Sequence, residues 1–157
     1  MDKLSRLSSM IGKTVRLDRG GPESRTGQVL SVQKDFLVLY NEKEGVIYYK
    51  TDHIKSVSVD AKDYSDLTPP TDDFVPPSFI QTDCFTSVLD NMKHRWVKIN
   101  RGGPESVEGL LTEIFDDHLL LIINNELASV FNFHIRSISY SSEAEKQEKS
   151  KDKSKKK

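Results

Sequence analysis

Two histidines and one thiol are the side chains most able to do chemistry, so they set the first question. His53 and His134 each sit in a near-identical hexapeptide, His53-Ile54-Lys55-Ser56-Val57-Ser58 and His134-Ile135-Arg136-Ser137-Ile138-Ser139. Imidazole is a metal ligand and a proton shuttle near neutral pH. A metal site needs three or four ligands, however, and no His-x-His, His-x3-His or Cys-x2-Cys spacing supplies companions. The two histidines are read as structural, each bonded to neighbouring backbone, with no catalytic residue, no metal ligand and no cofactor assigned. Cys84 is the only cysteine, which rules out an intrachain disulfide and a cysteine zinc cluster. Among Phe85, Val88 and Leu89 it reads as a small buried thiol.

A third element is the hexapeptide Arg19-Gly20-Gly21-Pro22-Glu23-Ser24, which returns as Arg101-Gly102-Gly103-Pro104-Glu105-Ser106. Gly-Gly-Pro is no phosphate cradle, because proline lacks the backbone donor and no Gly-Lys-Ser/Thr follows. Nor is there a Gly-x-Ser-x-Gly elbow, or a base placed by sequence beside the thiol. The chain is therefore read as a non-enzyme. Two identical charged turns would suit a bivalent recognition device. The preferred reading is a turn forced by glycine and proline, with Arg and Glu pairing across it at the surface. On that reading Gly20→Val and Gly103→Val unfold the protein, whereas Glu23→Ala leaves folding intact.

The elements that must position these groups repeat as well. At a constant offset of 82, Met10, Val15, Leu17, Gly27, Asp35, Leu37 and Leu39 fall opposite Met92, Val97, Ile99, Gly109, Asp117, Leu119 and Leu121. A one-residue slip near Gly45 brings the His hexapeptides into line. Each copy opens on a short amphipathic helix, carrying Leu4, Leu7 and Met10 or Phe85, Val88, Leu89 and Met92 on one face. Asp83 is the expected N-cap of the second helix. The period then changes to two over Val15 and Leu17, and over Val97 and Ile99.

Further short strands are expected over 28–33, 36–41, 46–51 and 55–59, and again over 110–115, 119–124, 128–132 and 136–140. The fold class that follows is mainly β: two tandem Sm-like or SH3-like small barrels, each preceded by a short α-helix. The expected domains are a first barrel repeat over 1–59, an acidic proline-containing linker over 60–82, a second repeat over 83–140 and a Lys/Ser-rich tail over 141–157. Phe74, Val75, Phe79 and Ile80 are the linker residues able to dock on a repeat. Small barrels must manage their strand edges, so the two repeats should abut or pair with other copies.

Charge and composition narrow the partners. A net charge of -1 and a pI near 6.4 give no global attraction to nucleic acid or anionic lipid. The linker holds five Asp, one Lys and four Pro, and the tail seven Lys, four acidic residues and four Ser. Both compositions are too polar to form a core of their own. No apolar run reaches the roughly 18–20 residues that span a bilayer, and Met1 to Met10 lacks a signal-peptide core. The expectation is synthesis in the cytoplasm of the producing cell. Sm-like RNA binding is the alternative from another class, with Trp96, Tyr48, Tyr49 and Phe131 as stacking faces and the basic tail on phosphates. The acidic linker weighs against it.

The two Arg-Gly-Gly-Pro-Glu-Ser motifs, with the two His-Ile-Lys/Arg-Ser-Val/Ile-Ser motifs in fixed register, resemble the spore coat protein B family of endospore-forming bacilli. The resemblance covers residues 10–59 and 92–140. It implies a structural component of the endospore coat, made in the mother cell and laid on the forespore, with other coat proteins and its own copies as partners. Longer members carry a Ser- and Lys-rich tail that accepts phosphate from a coat-associated kinase. Here the resemblance leaves Ser150 and Ser154 as the corresponding phosphosites in a much shorter tail.

Overall fold

A computed structural model describes residues 2–61 and 77–141 of the chain. The calls on Phe74, Val75, Ser150 and Ser154 lie outside the described residues. The first half runs α1 (Lys3–Ser8), β1 (Thr14–Leu17), β2 (Arg25–Val32), β3 (Phe36–Asn41), β4 (Gly45–Lys50), a 3-10 turn (Thr51–His53) and β5 (Val57–Ser58). The second half repeats that order as α2 (Phe85–Asn91), β6 (Trp96–Ile99), β7 (Val107–Ile114), β8 (His118–Ile123), β9 (Glu126–Phe131), a 3-10 turn (Asn132–His134) and β10 (Ser137–Tyr140).

The described residues are mainly β, as expected, and their ten strands form one continuous antiparallel sheet in the order β5-β1-β2-β3-β4-β10-β6-β7-β8-β9. Registers in the halves differ by the offsets read in sequence. Thr14 lies opposite Gln28 and Trp96 opposite Leu110; Phe36 lies opposite Lys50 and His118 opposite Phe131. In both long strands the register shifts at matching places, between Val29 and Ser31 and between Leu111 and Glu113. Such bulges bend a strand and sharpen its twist.

Gly27 and Gly109 show what that bending requires. A Cβ on Gly27 would lie 2.2 Å from the Tyr40 carbonyl oxygen, and one on Gly109 2.6 Å from that of Ile122. Only glycine permits so close an approach of neighbouring strands.

The alternating apolar positions of the strands build two cores. One gathers Leu7, Met10, Val15, Leu17, Val29, Leu37, Leu39, Ile47, Tyr49 and Ile54 of the first half. The other centres on α2 with Val97, Ile99, Leu111, Leu119, Leu121 and Ile138, and it also takes in Phe36, Val38 and Tyr48 from the first half. Strands β3 and β4 are thus apolar on both faces, one face serving each core. Phe79 and Ile80 pack on the second core, and the Ile80 N–H donates to the Tyr48 hydroxyl at 2.7 Å.

The first turn of α2 departs from expectation. Its N-cap is Cys84, which makes no side-chain cap bond, and the Phe85 N–H instead donates to the Asp35 carboxylate at 3.0 Å. Asp83 therefore does not cap this helix; a residue 50 positions away in the first half does.

Candidate assembly interface

The joint between the halves is a strand pair. β4 and β10 run antiparallel with Tyr49 opposite Ser137 and Tyr48 opposite Ile138, and the Lys50 N–H donates to the Arg136 carbonyl at 2.9 Å. The Lys50 ammonium also reaches the Asn132 carbonyl at 2.8 Å. Backbone groups on both strand edges are in this way satisfied by the other half.

The two Arg-Gly-Gly-Pro-Glu-Ser turns meet at this joint. Each is held by the same internal bonds: the Ser24 hydroxyl donates to the Asp18 carbonyl, and the Ser106 hydroxyl to that of Asn100. Asp18 and Asn100 both adopt positive φ, at 58° and 62°. Each turns its side-chain oxygen onto the start of the last strand, Asp18 accepting from the Lys55 N–H and Asn100 from the Arg136 N–H, both at 2.8 Å. Short polar residues tolerate this left-handed backbone because they bond locally.

Between the turns the contact is direct. The ring of Pro22 lies beside Gly103, where an added Cβ would stand 3.4 Å from it. Glu23 is buried, and its carboxylate accepts from the Arg101 N–H at 2.9 Å and from the Ser137 hydroxyl at 2.7 Å. The Arg101 guanidinium is buried too, donating to Ser137 Oγ at 3.0 Å, to Ser139 Oγ at 2.9 Å and to the Lys98 carbonyl at 2.7 Å. The Tyr49 hydroxyl closes the cluster onto the Glu23 carbonyl at 3.1 Å.

Glu44 draws three cations from both halves: Arg25 at 3.0 Å, Lys98 at 3.3 Å and Arg101 at 3.5 Å. Burial opposes charge on Glu44, but the Arg25 hydrogen bond and the nearby charges of Arg101, Arg25 and Lys98 outweigh it and hold the carboxyl below its usual value. Burial pulls Arg101 down from the ordinary guanidinium value, with Glu44, Tyr49 and Glu23 opposing that shift. Burial likewise pushes Tyr49 up, and Tyr48 to about 12.

The surface pairing of Arg and Glu across one turn is therefore corrected: Glu23 bonds the second turn, and it is buried. Removing it leaves Arg101 N–H and Ser137 without their acceptor, so Glu23→Ala is a core lesion. The outer members differ, with Arg19 exposed and Glu105 exposed and paired with Arg136. The glycine reading is also revised. Positive φ falls at Gly21 (85°) and Gly103 (78°), whereas Gly20 has open space around it.

The remaining site residues lie elsewhere. The ring of Phe133 is set edge-on to both His53 and His134, with centroids at 6.4 and 5.3 Å. Burial, with Lys50 and Arg136 nearby, lowers the His53 pKa. Among the described residues no three His, Cys, Asp or Glu side chains gather as a metal site. Cys84 is half-buried, not fully buried, and lies 3.2 Å from the Ser87 hydroxyl. Tyr48 and Tyr49, offered as stacking faces for RNA, are 0% and 3% exposed and serve the cores. No helix among the described residues is long and apolar enough to cross a membrane.

Sequence reasoning missed Glu44, which falls in the three-residue connection where the repeat slips, and Arg25, whose counterpart is Val107. Ser137 and Ser139 were in view only as part of the His motif. Their alternate spacing, which sends both hydroxyls to one face of β10, was the available signal.

Compared with known proteins, the chain is 36% identical over 135 residues to spore coat protein B of Bacillus subtilis strain 168. The match takes in 86% of this chain and 34% of the relative, so the chain spans about a third of the length of the curated protein it matches. No family model and no solved structure matches. The resemblance carried by the repeated motifs is borne out, and nothing in the comparison supports the RNA-binding alternative.

Proposed function

From this kinship with the spore coat protein B family, we propose that the chain is a structural and assembly component of the endospore coat, acting by protein-protein contacts without catalysis. The observation that carries the proposal is the identity shared over 86% of the chain. In this reading the protein is made in the mother cell and laid on the forespore surface, where it contacts other coat proteins and further copies of itself. Residues 1–59 and 83–140 are two copies of a small Sm-like or SH3-like barrel, joined by the linker 60–82 and followed by the tail 141–157. The buried cluster around Glu23 and Arg101 fits a structural part, because it joins the two repeats through buried hydrogen bonds.

The tail is proposed as an adhesive or modifiable handle. Phosphate on Ser150 or Ser154, from a coat-associated kinase, would add close to two negative charges per site and reverse the local sign.

A fluorescent fusion in a sporulating endospore former tests the proposal. Signal is expected to collect on the forespore surface and to persist on released spores. Signal spread through the mother cell and absent from spores would refute it. Intact mass of the protein extracted from spores tests the tail, with additions of phosphate mass on tail peptides as the expected result.

A further inference from the structure

The joint inside the chain is heterologous: the β4 edge of one half meets the β10 edge of the other, so among the described residues each half keeps an unpaired edge of the opposite kind. At the offset of the His motifs, the counterpart of β4 is β9 and the counterpart of β10 is β5. Those two strands are the outer edges of the ten-stranded sheet. We infer that β9 of one copy pairs with β5 of a second copy, repeating between chains the joint that the chain makes within itself.

The backbone is prepared for it. The Asn132 N–H is used inward, donating to the Asp117 carbonyl at 2.9 Å, so alternation along the strand turns the N–H groups of Phe131 and Ser129 away from β8. Likewise the Ser56 carbonyl accepts inward from the Asp18 N–H at 2.8 Å, which turns the Lys55 carbonyl outward. Transferring the internal register sets Ser129 opposite Val57 and Val130 opposite Ser56, with Phe131 N–H donating to Lys55. This matches the Lys50 to Arg136 bond of the internal joint.

Side chains follow the same logic. Glu105, the counterpart of buried Glu23, is exposed; so is Arg19, the counterpart of buried Arg101; and Ser56 and Ser58 replace Ser137 and Ser139. The flank bearing β5 carries exposed Lys3, Arg16, Arg19 and Lys55 against exposed Asp52 and Asp60, while the flank bearing β9 carries exposed Glu105, Asp116, Asp117 and Glu126. Unlike charge on the two flanks steers head-to-tail meeting and disfavours like ends. An apolar patch lies on the same outer face: Ile122, Leu127 and Phe131 are 40%, 63% and 55% exposed. Of its counterparts in the first half, Val46 packs on the core built on α2 and the Lys50 ammonium lies 5.4 Å from the Phe85 ring centroid.

The contact between copies should be weaker than the internal one. Tyr48, Tyr49, Arg25 and Glu44 have Ser129, Val130, Val107 and Asn125 as counterparts, so neither the buried phenols nor the three-cation carboxylate recur. Association that depends on concentration and salt is the consequence. A heterologous contact of this kind closes into a ring or grows as a filament, according to its rotation per step.

The inference rests on the self-association in the proposed function but is tested apart from it, on purified protein. In a Cys84→Ser background, Val57→Cys protein is mixed with Ser129→Cys protein and oxidised mildly. A covalent dimer in the mixture, absent from each variant alone, is expected. Light scattering on the full chain should show mass above 17.9 kDa that rises with concentration. Ser129→Pro, which removes an outward donor from an edge strand, should return it to monomer with unchanged circular dichroism. Glu105→Arg, which replaces the carboxylate that would accept the Arg19 N–H of the second copy, should do the same. A monomer at every concentration, or cross-linking of Ser129→Cys to itself as readily as to Val57→Cys, would overturn the inference while leaving spore localisation untouched.

Discussion

The Glu23 carboxylate accepts the Arg101 backbone N–H at 2.9 Å, joining the fifth residue of one hexapeptide to the first residue of its repeat 82 positions later. Both residues are buried, at 5% and 2% exposure, so the bond lies inside the protein and its loss is not compensated by water.

Glu23→Gln and Glu105→Gln are the same chemical change in the same motif, yet they should differ in stability. At Glu23 a buried acceptor of two bonds is weakened, and a loss of about 1–3 kcal/mol is expected. At Glu105, where the carboxylate is exposed and meets only Arg136, roughly 0–1 kcal/mol is expected. Urea denaturation of the two variants makes the comparison, and equal losses would contradict the placement of Glu23.

Valine at Gly21 or Gly103 must adopt a left-handed backbone. Each substitution is expected to cost about 1–3 kcal/mol and lower the melting temperature. Gly20→Val has open space and should melt close to wild type. Thermal unfolding of the three variants checks the assignment.

Phe36 belongs to the first half by chain position but to the core built on α2, its ring 6.5 Å from that of Phe85. Phe36→Ala should cost about 3–5 kcal/mol. A double-mutant cycle with Phe85→Ala should leave a coupling of about 0.5–3 kcal/mol, because the two share one packed site. Strict additivity would place the rings in separate cores.

Glu44 gives a pH signature. Its folded pKa is below its unfolded value near 4.5, so the stability it contributes is full above that value and is lost as pH falls through the lower folded one. Unfolding free energy should therefore drop on acidification below about 4.5, and Glu44→Gln should flatten that part of the profile. Denaturation at a series of acid pH values reads the slope.

Much of this was legible in the residues. The apolar patterning placed all ten described strands to within about three residues, and the constant offset carries over to the pairing registers of the two halves. Identical hexapeptides, however, cannot reveal which copy is buried. Glu23 and Glu105 are the same letter in the same motif, and only the order of strands across the sheet puts one inside and leaves the other out. Asp35 was hidden for a related reason. A helix cap supplied from 50 positions away has no local spacing, whereas Asp83, two residues before the helix, has the right type and nearly the right place. Local chemistry proposes caps and turns; long-range pairing decides among them.

Amide hydrogen exchange across the β4-β10 joint is the most direct test of the single sheet. The Lys50 N–H, bonded to the Arg136 carbonyl at 2.9 Å, should be protected as strongly as amides of β3, and the outward N–H of Phe131 should exchange fast in dilute protein. Fast exchange at Lys50 under the same conditions would mean that the halves do not share a sheet, and would contradict the joint on which assembly is built.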